Sequence, residues 1–103
     1  MSRYSLVYIT TANKKEALKI ARAVLAKKLA AGSNIIDRVS SLYWWKGKVQ
    51  SAKEALLIFK TTKKAVPRLI RTVKAIHSYE CPCIIELPIG QGDPDFLRWL
   101  ADI

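Results

Sequence analysis

The stretch from Ser33 to Thr61 limits what this chain can become more than any other. Its centre reads Tyr43-Trp44-Trp45-Lys46-Gly47-Lys48, flanked on either side by about a dozen residues rich in β-branched, aromatic and long aliphatic side chains, without a proline. Gly47 is the one residue there that takes positive φ without strain, so the tight turn of a β-hairpin belongs beside it. Two arms of about 12 residues, at roughly 3.3 Å per residue, each reach about 40 Å, twice the length of a typical strand. A domain of this size has a radius of gyration of about 13 Å, too small for its own core to cover such arms. The outer half of the hairpin therefore needs another surface, and a second copy of the chain is the simplest source. An oligomer is expected before any function.

The other elements follow in order. Tyr4 to Thr10 is a short apolar, β-branched run that reads as a buried strand. Asn13 with Glu16 makes a capping-box-like start, and Ala17, Ile20, Ala21, Val24, Leu25 and Leu29 recur at helical spacing up to Ala31, where Gly32 stops the helix. Lys15, Lys19 and Arg22 share the opposite face. In the second hairpin arm, Val49–Thr61, the polar run to Glu54 gives way to Ala55-Leu56-Leu57-Ile58-Phe59, apolar at consecutive positions and so covered on both faces. Helices of the same chain cover one face only, so the other asks again for a neighbour. A second helix is predicted over Lys63–His77, with Pro67 in its first turn. Cys81 to Ile89 reads as a strand whose prolines at 82 and 88 put it at an edge. Asp93 caps and Pro94 starts a short last helix carrying Phe96, Leu97, Trp99 and Leu100. The order βαββαβ plus a C-terminal helix predicts one α+β domain over 1–103, a ferredoxin-like sandwich with helices on one face of its sheet.

Charge is the compositional outlier: 18 Lys and Arg against 8 Asp and Glu give +10, a field that attracts nucleic acid, anionic membranes or acidic small molecules. The basic residues are spread over the helices and the hairpin without forming a block, which favours a solvated surface. No apolar run approaches the roughly 18 residues of a membrane span, and no membrane partner is expected. Met1-Ser2-Arg3-Tyr4 leads straight into a strand, so no signal peptide is expected either. Cys81 and Cys83 are too few and too close for a disulfide framework, and reduced thiols in the cytoplasm are the expectation.

Lys28-Leu29-Ala30-Ala31 before Asn34, Ser41-Leu42-Tyr43, Trp45, Gly47-Lys48, Lys60-Thr61, His77, Tyr79, Pro82, Leu87-Pro88, Gly92, Phe96-Leu97 and Trp99 come in a telling order. In order and spacing they resemble the CutA family, the divalent-cation-tolerance proteins, over essentially the whole chain. The resemblance implies tight homotrimers of the fold just derived, with long hairpins around a three-fold axis. It also implies tolerance of copper and other divalent metals, with copper or another metal ion as a partner, no obligatory cofactor and no established reaction. Eukaryotic relatives are linked to processing and anchoring of a secreted esterase. Some positions depart from the family pattern. The family cysteine falls on Gly32, the acidic cluster after the turn is reduced to Glu54, and a proline and a glutamate are replaced by Ser78 and Cys83.

His77, Cys81 and Cys83 are the one soft-ligand cluster, suited to Cu(I) or Zn(II), with alternation along a strand pointing both sulfurs to one side. The competing reading has His77 ending a helix and the thiols packing as small apolar groups. Tyr43, Trp44 and Trp45, with Trp99, are expected as trimer-interface anchors; a stacking platform for bases is the alternative. Lys60, near Asn34 and Tyr79 by family resemblance, shapes an inter-subunit cleft that could hold an anion, or is a snorkelling structural lysine. No Ser-His-Asp order, phosphate loop or paired helical carboxylates support catalysis, and no enzyme is expected. Two further readings are a basic trimeric polyanion or nucleic-acid binder and a small-anion-sensing regulator.

Overall fold

The computed structural model describes residues 3–103. Its elements are β1 (Tyr4–Thr11), α1 (Lys14–Ala26), β2 (Gly32–Trp45), β3 (Lys48–Thr62), a 3-10 turn (Lys63–Ala65), α2 (Val66–Ile76), β4 (Ile84–Pro88) and α3 (Pro94–Ala101). The four strands form one antiparallel sheet in the order β2-β3-β1-β4. This is the ferredoxin-like sandwich with a long β2–β3 hairpin and a C-terminal helix. β4 pairs with β1 alone, the edge position its prolines demand.

Alternation sorts the side chains. Val7 and Ile9 of β1 and Leu57 and Phe59 of β3 point towards the helices and are wholly buried against Ile20, Val24, Leu69 and Val73. Tyr4, Leu6, Tyr8 and Thr10, with Leu56, Ile58 and Lys60, point the other way and are half-buried. That second face also carries Ile36, Ile85 and Leu87, exposed at 51%, 51% and 42%. α3 crosses onto it: Cη2 of Trp99 lies 3.6 Å from where a Cβ on Gly32 would stand, and Leu100 is buried outside the main core cluster.

The hairpin turn is Lys46–Gly47, both at positive φ (51° and 80°), between the paired Trp45 and Lys48. That is the primed geometry which matches strand twist. β1 supports β3 only from Ala55 to Thr62. Beyond it, Val39–Trp45 and Lys48–Glu54 continue as a bare two-stranded ribbon, and the molecule extends 43 Å along its long axis. A bulge between Ile36 and Val39 marks the departure, with Arg38 at φ 59° and its N–H bonded to Asp37 Oδ1 at 2.8 Å. On the ribbon, Leu42, Trp44 and Val49 lie on one side and remain 75%, 74% and 56% exposed.

Three boundaries differ from the sequence reading. α1 ends at Ala26, not Ala31, because Lys28 turns into the left-handed region (φ 55°) and closes a Schellman motif. Its bonds are Lys28 N–H to Leu25 O at 2.9 Å and Leu29 N–H to Val24 O at 3.2 Å. Leu29 and Ala30 are core residues but not helical, and Gly32 opens β2 rather than ending a helix. α2 starts after a 3-10 turn and stops at Ile76, with His77 extended (φ −74°, ψ 142°). β4 begins at Ile84, so Cys81 and Cys83 precede the strand and strand alternation does not set their directions. The final cap is as expected, Phe96 N–H donating to Asp93 Oδ2 at 2.9 Å. No helix among the described residues is long and apolar enough to cross a membrane.

Candidate functional site

The loop after α2 is fixed by one carboxylate. Asn13 caps α1 by accepting from Glu16 N–H at 2.9 Å, which aims the Glu16 side chain back past the helix start. Its two oxygens accept from Ala12 N–H at 2.9 Å and Ser78 N–H at 2.8 Å, joining the β1–α1 turn to the segment after α2. Burial raises the Glu16 pKa, but the two backbone donors outweigh it and hold the carboxyl below its ordinary value of 4.5.

His77 sits next to this clamp with its side chain wholly buried. Tyr79 N–H donates to Nδ1 at 3.0 Å, so Nδ1 is the acceptor nitrogen and Nε2–H donates to Thr10 O at 2.8 Å. Both ring nitrogens are thus committed to backbone groups. The contact of Nδ1 with Glu16 at 4.0 Å is therefore no ion pair. The imidazole positions the loop and stacks obliquely on Tyr79, ring centroids 4.8 Å apart.

Tyr79 is thereby carried over the second sheet face, where its hydroxyl donates to Glu54 Oε2 at 2.7 Å. Burial, then the Glu54 hydrogen bond and charge, push the Tyr79 phenol above its ordinary value of 10.0. Glu54 is 6% exposed and lies directly before the apolar run of β3, in phase with Leu56 and Ile58. The same residue is among those that line the adjacent cleft. Cys83 is close by: burial and then the Glu54 charge push its thiol above 9.0. Together with Tyr8, Tyr43, Trp45, Glu80 and Cys81 these groups line a cleft of about 940 Å³ between the ribbon and the 78–83 loop.

The structure brings some of the expected residues together and separates others. Tyr43, Trp44, Trp45, Tyr79, Cys81 and Cys83 share this cleft. His77 lies behind it with no free nitrogen, and the described residues contain no group of three His, Cys, Asp or Glu placed to hold a metal. Asn34 and Lys60 neighbour each other on the far sheet face, Asn34 pairing with Ile58 and Lys60 with Gly32. Lys60 is six residues along β3 from Glu54, about 20 Å at strand rise, so one chain does not bring it to Tyr79. Trp99 is 53% exposed on α3, stacked on Phe96 at 5.5 Å. Trp45 is partly shielded, with Lys46 Nζ 5.8 Å from its ring centroid, whereas Trp44 is bare. Glu54 and Glu16 organise the region, yet sequence reasoning gave them no role at the site. The usable signal was an acidic residue abutting a doubly buried strand segment, where an unpaired charge is costly.

Comparison with known proteins places these features. The family model described as CutA1 divalent ion tolerance protein matches residues 5–103. Protein CutA of Mus musculus is 41% identical over 99 residues, 96% of this chain but 56% of that protein, so the chain spans about half the length of that relative. The divalent-cation tolerance protein CutA of Archaeoglobus fulgidus is 41% identical, covering 96% of both chains. Among solved structures, the divalent cation tolerance protein of Thermus thermophilus superposes with a TM-score of 0.93 at 40% identity, covering 96% of each chain. The periplasmic divalent cation tolerance protein from Archaeoglobus fulgidus gives 0.91 at 41% identity, covering 94% of each.

Proposed function

The chain belongs to the CutA1 family of divalent ion tolerance proteins, and from that premise we propose that it works as a non-enzymatic homotrimer that takes up divalent or soft metal ions, copper among them, in the cleft beside the hairpin. One observation carries the reading. Glu54, nearly buried, lines a cleft that Glu80, Cys81 and Cys83 also line, so oxygen and thiol donors border one concavity. A single chain supplies an incomplete coordination set, because His77 is committed to Thr10 and Tyr79. The remaining donors come from a neighbouring copy or from the ligand that delivers the ion. Assembly is supported by the bare ribbon side of Leu42, Trp44 and Val49 and by the exposed Ile36, Ile85 and Leu87, apolar surfaces that two or more copies would cover. The non-enzymatic assignment is supported by the surroundings of Cys83 and His77. Cys83 is pushed away from thiolate, and both ring nitrogens of His77 are committed to backbone groups, leaving neither to act as base. Two free cysteines, one exposed, suit a reducing compartment, and the cytoplasm is proposed on that ground.

Titration calorimetry of the assembled protein with Zn(II) and Cu(I) is the test. Stoichiometric uptake is expected, weakened in Glu54→Gln and abolished in a Cys81→Ser, Cys83→Ser double variant of unchanged oligomeric state. Equal uptake by the double variant would remove the thiols from the site.

A further inference from the structure

The net charge of +10 is not spread over the molecule. Eleven of the eighteen lysines and arginines lie along the helical layer, six between residues 14 and 28 and five between residues 63 and 74, and every one is exposed. The same segments hold one acid, Glu16, whose oxygens are taken by Ala12 and Ser78 N–H groups. Elsewhere seven basic residues meet seven acidic ones, so the whole excess lies in these two segments. Among the described residues just one of the eleven is in an ion pair, Lys63 with Glu86 at 3.2 Å. Lys15, Lys19 and Arg22 repeat at i, i+4, i+7 along α1, and Arg68 and Arg71 stand three apart on α2, which packs beside it, with Lys64 in the 3-10 turn just before. Two neighbouring rows of exposed cations result.

What the face lacks narrows its partner. Neither segment contains an aromatic residue, so nothing is offered for bases to stack on. Leu25, at 37%, is its one exposed large apolar side chain, too little to insert into a lipid interface. α1 is about 20 Å long, and an equal length of duplex carries roughly 12 phosphates. We propose that the outer surface of the α1–α2 layer binds the phosphate backbone of double-stranded nucleic acid without reading its sequence. The layer is on the opposite side of the sheet from Ile36, Ile85, Leu87 and α3, so assembly through that face leaves it open, while Leu42, Trp44 and Val49 lie on the helix side of the ribbon, past the last β3 residue that β1 pairs with. The inference is independent of metal uptake in the cleft.

The test is fluorescence anisotropy of the full chain with a labelled duplex. With about five phosphates neutralised, log affinity falls against log salt with a slope of about −4.5, roughly 500-fold between about 50 and 200 mM. An Arg22→Gln, Arg68→Gln, Arg71→Gln variant is expected to lower the slope's magnitude by about 3. A hairpin variant with the same charge change, Lys46→Gln, Lys48→Gln, Lys53→Gln, should keep the parent slope. Circular dichroism confirms folding, and Arg71→Gln alone, expected to lower the slope by about 1, replaces the triple variant if that misfolds. Absence of binding at the lowest salt, or equal losses in the two triple variants, would overturn the assignment. Vesicles of phosphatidylserine and phosphatidylcholine bound where the duplex is not would overturn it in favour of a membrane surface.

Discussion

Trp44→Ala separates an assembled protein from an isolated chain. Trp44 is 74% exposed on the side of the ribbon that also carries Leu42 and Val49. A buried tryptophan covers up to about 250 Å², which leaves roughly 185 Å² of this one for a partner. Alanine would surrender about 130 Å² of that, and at about 25 cal/mol per Å² the loss is about 3 kcal/mol per interface. That corresponds to a dissociation constant raised roughly 150-fold. In an isolated chain the same change removes a solvated side chain, and the stability shift stays within about 0.5 kcal/mol. Light scattering and sedimentation over a wide dilution series, with thermal melts alongside, read both quantities. The expected result is a variant that dissociates on dilution where the parent does not. Trp45→Ala, at a position already half-covered and topped by Lys46, should dissociate less readily. A parent that is monomeric, or a Trp44→Ala variant with unchanged assembly and melting, would refute the reasoning that the ribbon is an interface.

Two other outcomes are expected from the site. Glu16 has a folded pKa below 4.5, so as pH falls the unfolded chain takes up the proton first; the stability this carboxylate gives is present above about pH 4.5 and drains away below it, and Glu16→Gln should flatten that acid limb in urea melts. Iodoacetamide at mildly alkaline pH should alkylate exposed Cys81 well before Cys83, whose thiol is raised by burial and Glu54; equal rates by mass spectrometry would contradict the cleft geometry.

Much of the architecture was legible because it is written in local pattern. The two-residue turn at Lys46–Gly47, the doubly apolar run Ala55–Phe59, the Asn13 and Asp93 caps and the edge position of β4 each follow from steric or periodic constraints within a few residues. The end of α1 was not legible, because a lysine rather than a glycine takes the left-handed position, and Leu29 keeps the helical apolar period while packing from outside the helix. His77 showed the same limit. Its residue type fits a metal ligand, but the folded chain places Thr10 O and Tyr79 N–H against its two nitrogens.

By itself the sequence determined a ferredoxin-like sandwich, membership of one family and a hairpin too long for its own core. Periodicity, turn stereochemistry and chain length act within or between neighbouring segments. Only the tertiary structure decided that Glu54, rather than His77, lines the cleft, that Trp44 is more exposed than Trp45, and that Lys60 lies far from Tyr79 in one chain. These depend on which strand face a residue occupies and on contacts such as Glu16–Ser78, 62 positions apart, that no local pattern encodes.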